Sequence, residues 1–138
     1  MVICLLTSAC SSSGFVLASA CDIRVATAGI LIDVKDIAGL GSAGNRALKR
    51  LYWTAGNSSW TNSVILGALP FNAAEAFQNR IISKVWKDKD EAIFGAIALA
   101  RSVSGRSAES IQHAKRVWVA IRDASDGKLE MSRLLVGH

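Results

Sequence analysis

Apolar residues run together in some stretches and recur every third or fourth position in others, and that change of spacing marks out the elements. Val2–Thr7 is a short apolar run, β-branched at Val2 and Ile3, and predicts a buried strand. Ser11-Ser12-Ser13-Gly14 predicts a turn. Phe15–Cys21, rich in small and aliphatic residues, predicts a short buried helix whose first backbone N–H groups face that turn. Asp22–Ala26 and Ile30–Ile32 predict two further strands, and the glycines of Gly39–Gly44 predict a loop. Helical spacing begins near Asn45, with Ala47, Leu48 and Leu51 inward and Arg46, Lys49 and Arg50 outward. Gly56-Asn57 breaks that pattern before a second helix over Ser59–Leu66.

Asn72-Ala73-Ala74-Glu75 has the form of a capping box, and Ile81–Trp86 predicts a short strand. Asp88-Lys89-Asp90-Glu91 caps a helix with Ile93, Ile97, Ala100 and Ser104 on one face, stopped by Gly105. Ser107 starts another, with Ile111, Ala114, Trp118 and Ile121 at helical spacing, and Lys128–Val136 predicts a last short helix. Strands alternating with helices, followed by helices alone, define an α/β fold class.

Composition narrows the function classes. The 138 residues suit one domain, and 51% hydrophobic with 20% charged residues excludes a disordered chain. No apolar run approaches the roughly 20 residues of a membrane-spanning helix. The 3 cysteines (Cys4, Cys10, Cys21) crowd into the first 21 positions, a poor disulfide framework that fits a reducing compartment. The 2 histidines, His113 and His138, lie far from them, so no metal-ligand spacing is present, and the cysteines read as small buried hydrophobes. His113 sits beside Lys115 and Arg116 and reads as a surface residue. Trp53, Trp60, Trp86 and Trp118 read as anchors of the core or of a subunit contact.

The net charge of +5 is spread along the chain, with one knot at Arg46, Lys49 and Arg50. No aromatic interleaving or nucleic-acid motif accompanies the knot, so it reads as a solvated helix face, with an anionic small ligand as the alternative. The first 21 residues lack the positive n-region of a secretory signal, and five serines and threonines interrupt Thr7–Ser13. A chain that opens inside a core strand is expected to be the remainder of a longer domain.

Specific segments carry a family likeness. Ser19-Ala20-Cys21-Asp22-Ile23-Arg24-Val25-Ala26 behind a small-residue turn, Val34-Lys35-Asp36-Ile37, Leu48-Lys49-Arg50-Leu51 and Gly56-Asn57-Ser58-Ser59-Trp60 follow one another in order. Asn72-Ala73-Ala74-Glu75-Ala76 and Ile82-Ser83-Lys84-Val85 complete the series. Together they resemble the enoyl-CoA hydratase/isomerase (crotonase) superfamily, nearest its Δ3,5-Δ2,4-dienoyl-CoA isomerase branch, over residues 1 to about 136.

The resemblance implies a crotonase-like spiral of ββα turns, here its C-terminal part over residues 1–86, followed by C-terminal helices of trimerising type over 87–138. It implies an acyl-CoA substrate from fatty acid β-oxidation, no cofactor beyond that thioester, a trimeric or hexameric assembly, and a peroxisomal or mitochondrial setting. Neither a nucleic acid nor a membrane is implied as partner. No targeting signal is visible, the last residues being Val136-Gly137-His138. The family chemistry rests on two backbone N–H groups that hold the thioester oxygen as an enolate forms. One such donor matches the amide of Ser13, next to Gly14, at the helix mouth; the other matches a turn upstream of this sequence. Three family acids fall on Val16, Asp36 and Gly44, so Asp36 alone keeps a carboxylate, shortened from glutamate. Acid and base at opposite ends of a diene are both needed for its proton shift, and valine and glycine supply neither. The expected function is therefore an acyl-CoA isomerase or hydratase. The alternatives are a catalytically degenerate acyl-CoA-binding or assembly module, or an incomplete gene product.

Overall fold

Three short parallel strands and the helix that joins two of them organise the first half of the chain. The computed structural model describes residues 1–124. Residues Met1–Ala100 form one compact unit, and a second begins at Arg101.

The β-branched runs form strands β1 (Ile3–Leu6) and β2 (Ile23–Thr27), which pair in parallel with Ile3 opposite Ile23 and Leu6 opposite Ala26. Helix α1 (Ser12–Ala20) makes the crossover that parallel pairing demands. Strand β5 (Lys84–Trp86) joins the other edge of β2, so the order is β1-β2-β5. Central β2 buries Val25 and Ala26, successive residues on opposite faces, as a strand covered on both sides must. β1 is half-buried along its length rather than buried as the sequence suggested, because it lies at the sheet edge. A second, antiparallel pair joins β3 (Leu31–Ile32) to β4 (Phe71–Asn72).

Two loops expected from the sequence are helix instead. The Ser12-Ser13-Gly14 stretch is the first turn of α1, because the Ser11 hydroxyl accepts the Gly14 N–H at 3.3 Å and the Ser11 carbonyl accepts that of Phe15 at 2.8 Å. A serine run serves equally as turn or N-cap, and here the cap prevails. Likewise α2 (Gly41–Ala55) begins four residues before the predicted start at Asn45, after a single 3-10 turn at Ile37–Gly39. Its inward residues are the predicted Ala47 and Leu51, with Leu48 half-buried.

Gly56, in the left-handed conformation at φ 63°, ends α2, and the Asn57 side chain accepts the Trp60 N–H at 3.1 Å to open α3 (Ser58–Leu66). Asn72 caps α4 (Ala73–Gln78) by accepting the Glu75 N–H at 2.8 Å. Asp88 accepts the Glu91 N–H at 2.9 Å at the start of α5 (Lys89–Ser104). The α5 face that spacing groups together, Ile93, Ile97, Ala100 and Ser104, is exposed, and another face turns inward. Ala92 is buried and Gly95, Ala96 and Leu99 half-buried, whereas Ile93 and Ile97 are exposed. The Trp86 indole lies over Gly95 so closely that a Cβ there would overlap it, which turns the small-residue face inward.

In the second unit, the Ser107 hydroxyl accepts the Ser110 N–H at 3.0 Å ahead of α6 (Ala108–Ala124). Ile111 and Ala114 are half-buried on it, while Trp118 and Ile121 are exposed. The helix predicted over Lys128–Val136 lies outside the described residues. Among the described residues no helix is long and apolar enough to cross a membrane.

The first unit's core centres on Phe71, whose ring meets Phe15 edge-on at 6.2 Å and Trp60 at 5.1 Å between centroids. Val34, Ile37, Leu51, Ile32 and Ile82 belong to the same buried cluster. Phe71→Ala removes both aromatic contacts and leaves a cavity, and is expected to cost about 3–5 kcal/mol in urea-unfolding experiments.

Candidate functional site

Parallel bonding between the entrance of α1 and the segment after β3 brings the candidate residues together. The Cys10 N–H donates to the Leu31 carbonyl at 2.9 Å, and the Asp33 N–H donates to the Cys10 carbonyl at 2.8 Å. Cys10 thus bridges to Ile32 as a one-residue extension of sheet pairing. Beyond it the buried Ser12 hydroxyl donates to the Asp33 carbonyl at 3.0 Å and accepts the Asp36 N–H at 3.1 Å. Val34 and Ile37 are buried on either side, which leaves Lys35 and Asp36 facing solvent.

At the mouth of α1 the amides divide into used and unused. The Gly14 N–H is taken by the Ser11 hydroxyl, whereas the Ser13 N–H has no acceptor among the described residues. Ser13 is exposed, and its amide points out from the positive end of the helix dipole. Gly14 contributes closeness: a Cβ there would stand 3.2 Å from the Cys10 sulfur.

The Asp36 carboxylate does not cap the 3-10 turn that follows it. Lys35 pairs instead with Asp33, at 3.8 Å between Nζ and Oδ2, and Asp33 also accepts the Lys35 N–H at 2.9 Å. An exposed carboxylate and an exposed backbone donor are thus linked through Ser12; the first can accept a proton and the second can hold a developing oxyanion.

The other two positions matched to acids are structural. Val16 is half-buried and packs against the core. Gly44 is buried where α2 crosses the 3-10 turn, and a Cβ would run into the Ile37 carbonyl. Arg46 and Lys49 are exposed on α2, and His113 is exposed on α6. Arg50 is half-buried and lines a cleft with Phe15, Ser19, Arg24, Leu51, Thr54 and Ile81. That cleft has about 10 Å³ of room, enough for one water, and lies toward the opposite end of α1 from Ser13.

Cys10 is buried and Cys4 and Cys21 half-buried, all three as free thiols. Burial, helped by the neighbouring Cys21, pushes the Cys4 thiol from 9.0 up to about 11, so it stays protonated and unreactive at neutral pH. Burial also raises the Cys10 thiol. Among the described residues no cluster of histidine, cysteine or carboxylate side chains could hold a metal ion.

Two residues went unnoticed in the sequence. Ser12 was hidden in the serine run, where nothing distinguished a capping hydroxyl from a bridging one. Arg24 was part of a quoted motif but had no role. Its Nε donates to the Ile81 carbonyl at 2.8 Å and its Nη1 to Cys21 and Ala18 carbonyls at 2.8 and 3.4 Å, so it ties the end of α1 to the entry of β5.

A crossover helix whose mouth presents an amide beside a carboxylate, on a parallel sheet, accords with the likenesses that follow. Over most of its length the chain is similar to proteins of the enoyl-CoA hydratase/isomerase (crotonase) superfamily. Over 124 residues it is 33% identical to the mitochondrial Δ(3,5)-Δ(2,4)-dienoyl-CoA isomerase of Mus musculus and 34% to that of Rattus norvegicus, which is 90% of this chain and 38% of each relative. It is also similar to a monofunctional enoyl-CoA isomerase from M. smegmatis, at 26% identity and TM-score 0.76, covering 90% of this chain and 57% of that one. A Thermobifida fusca protein of the enoyl-CoA hydratase type, solved in complex with acetoacetyl-CoA, shares the fold at 22% identity and TM-score 0.75, over 96% of this chain and 54% of that one. The chain thus spans well under half the length of the mammalian relatives. No family model matches it.

Restoring the matched acid at the third position is expected to fail on steric grounds. Gly44→Glu should destabilise the protein by about 1–3 kcal/mol in chemical denaturation, since α2 must move off the Ile37 carbonyl to admit any side chain.

Proposed function

We propose that this chain binds an acyl-CoA thioester and promotes proton transfer beside its carbonyl, as an isomerase or hydratase of reduced catalytic equipment. The single observation that supports this reading is the juxtaposition, through Ser12, of an amide without an acceptor at Ser13 and the uncapped carboxylate of Asp36. In the proposed step the Asp36 carboxylate takes the proton from the carbon next to the carbonyl. The C–H electron pair moves into the carbonyl, and the Ser13 N–H holds the resulting enolate oxygen. Return of the proton to a nearby carbon on the same face gives the isomer, and one carboxylate suffices for a short shift. A shift across a whole diene needs a second acid, which Val16 and Gly44 do not provide. The net charge of +5 suits the anionic coenzyme.

A second reading, a non-catalytic acyl-CoA-binding or assembly module, is favoured by the apolar Val16 and the tightly packed Gly44. A trimeric assembly of family type accompanies either reading as a proposal.

Exchange of the α-protons of butyryl-CoA into deuterated water, followed by NMR on the full chain, separates the two. Asp36→Asn is expected to slow exchange about 100-fold or more while calorimetry shows unchanged acyl-CoA binding. Binding without any exchange in the unmodified protein supports the second reading, and absence of binding contradicts both.

A further inference from the structure

The hydroxyl of Ser12 stands between the two groups of the proposed site without belonging to either. It is buried, with 6% of its surface exposed, although it lies in the first turn of a helix, where serine ordinarily turns to solvent or caps the helix itself. The cap is supplied by Ser11, so Ser12 is released from that task. Its single proton goes to the Asp33 carbonyl at 3.0 Å, and its lone pair receives the Asp36 N–H at 3.1 Å. A hydroxyl that donates once and accepts once has thereby fixed two points of the 33–36 segment. Among the described residues no backbone–backbone hydrogen bond crosses from α1 to Asp36 itself; the Cys10 bonds end at Asp33.

We propose that Ser12 is a positioning residue, a clamp that sets the Asp36 carboxylate at a fixed distance from the Ser13 amide. The inference rests on the acyl-CoA reading of that amide and carboxylate, and adds the group that couples them. Ser12 and Ser13 are consecutive in one helical turn, so a bond from Ser12 to Asp36 transmits the helix position directly to the acid. Without it, the main chain at Asp36 is held by the burial of Val34 and Ile37 and by the turn bond from the Gly39 N–H to the Asp36 carbonyl at 3.0 Å, while its own N–H loses its partner and the carboxylate samples positions out of reach of a carbon bound at Ser13. Misplacement by about 1 Å is enough to slow such a reaction about 100-fold.

The test uses the full chain and has two arms. In the first, hydrogen exchange of the Asp36 amide is measured by NMR. Ser12→Ala is expected to speed it about 10-fold or more, and Ser12→Thr, which keeps the hydroxyl, to leave it near the unmodified rate. If Ser12→Ala does not fold, Ser12→Cys keeps the volume and weakens both bonds, and should show the same acceleration. In the second arm, butyryl-CoA α-proton exchange is expected to fall about 10- to 100-fold in kcat for Ser12→Ala with KM unchanged, and to recover in Ser12→Thr. Because Ser12 acts through Asp36, Ser12→Ala should add nothing further once Asp36 is replaced by asparagine. An unchanged Asp36 amide overturns the proposal, as does an equal Ser12→Ala effect in the Asp36→Asn background. No α-proton exchange in the unmodified protein overturns the proton-transfer reading, while a faster Asp36 amide in Ser12→Ala still supports the clamp.

Discussion

The docking of residues 31–36 onto the entrance of α1 is the constraint from which the rest of the site follows. Two backbone hydrogen bonds through Cys10 and two more through the Ser12 hydroxyl join segments that are about twenty residues apart in sequence. Each such bond contributes on the order of 1 kcal/mol net, but an unpaired buried partner costs more, so the four hold or fail together. Their consequence is geometric. The chain leaves β3 already aligned with the helix mouth, Val34 and Ile37 drop into the core, and Asp36 is left outside with its N–H on the Ser12 hydroxyl.

Most segments that carry the family likeness are punctuation of the fold rather than chemistry. In Ser19–Ala26 the Asp22 carboxylate accepts the Val2 N–H at 2.8 Å, and Arg24 neutralises the carbonyl end of α1. Gly56-Asn57 ends one helix and begins the next, and Trp60 then packs on Phe71. Asn72 begins α4 directly from β4. A chain that keeps these devices keeps the architecture whatever side chains stand at positions 16 and 44, and the likeness extends over 90% of the chain.

The sequence made the elements legible wherever periodicity was long or a cap was unambiguous. Ala47 and Leu51 on α2, the break at Gly56-Asn57, Asn72 as a cap, and the runs of β1 and β2 were all readable. It misled where one residue type serves two ends: Ser12-Ser13-Gly14 and Gly41–Gly44 read as loops because serine and glycine favour turns, yet they open helices. The inward face of α5 was obscured because Trp86 selects small residues, which periodicity does not rank above isoleucine. Of the proposed site, Asp36 and Ser13 are singled out only through the ordered motifs. The bond joining them was not, since a serine twenty-four residues from its partner leaves no local pattern.

The most direct measurement is the backbone amide spectrum of the isotopically labelled protein during titration with acetoacetyl-CoA. If the helix mouth grips a thioester oxygen, the Ser13 proton resonance moves downfield and saturates with ligand, while Gly14, already bonded to Ser11, moves less. A Ser13 resonance that stays in place while amides elsewhere report binding would contradict the assignment of this helix mouth as the oxyanion site.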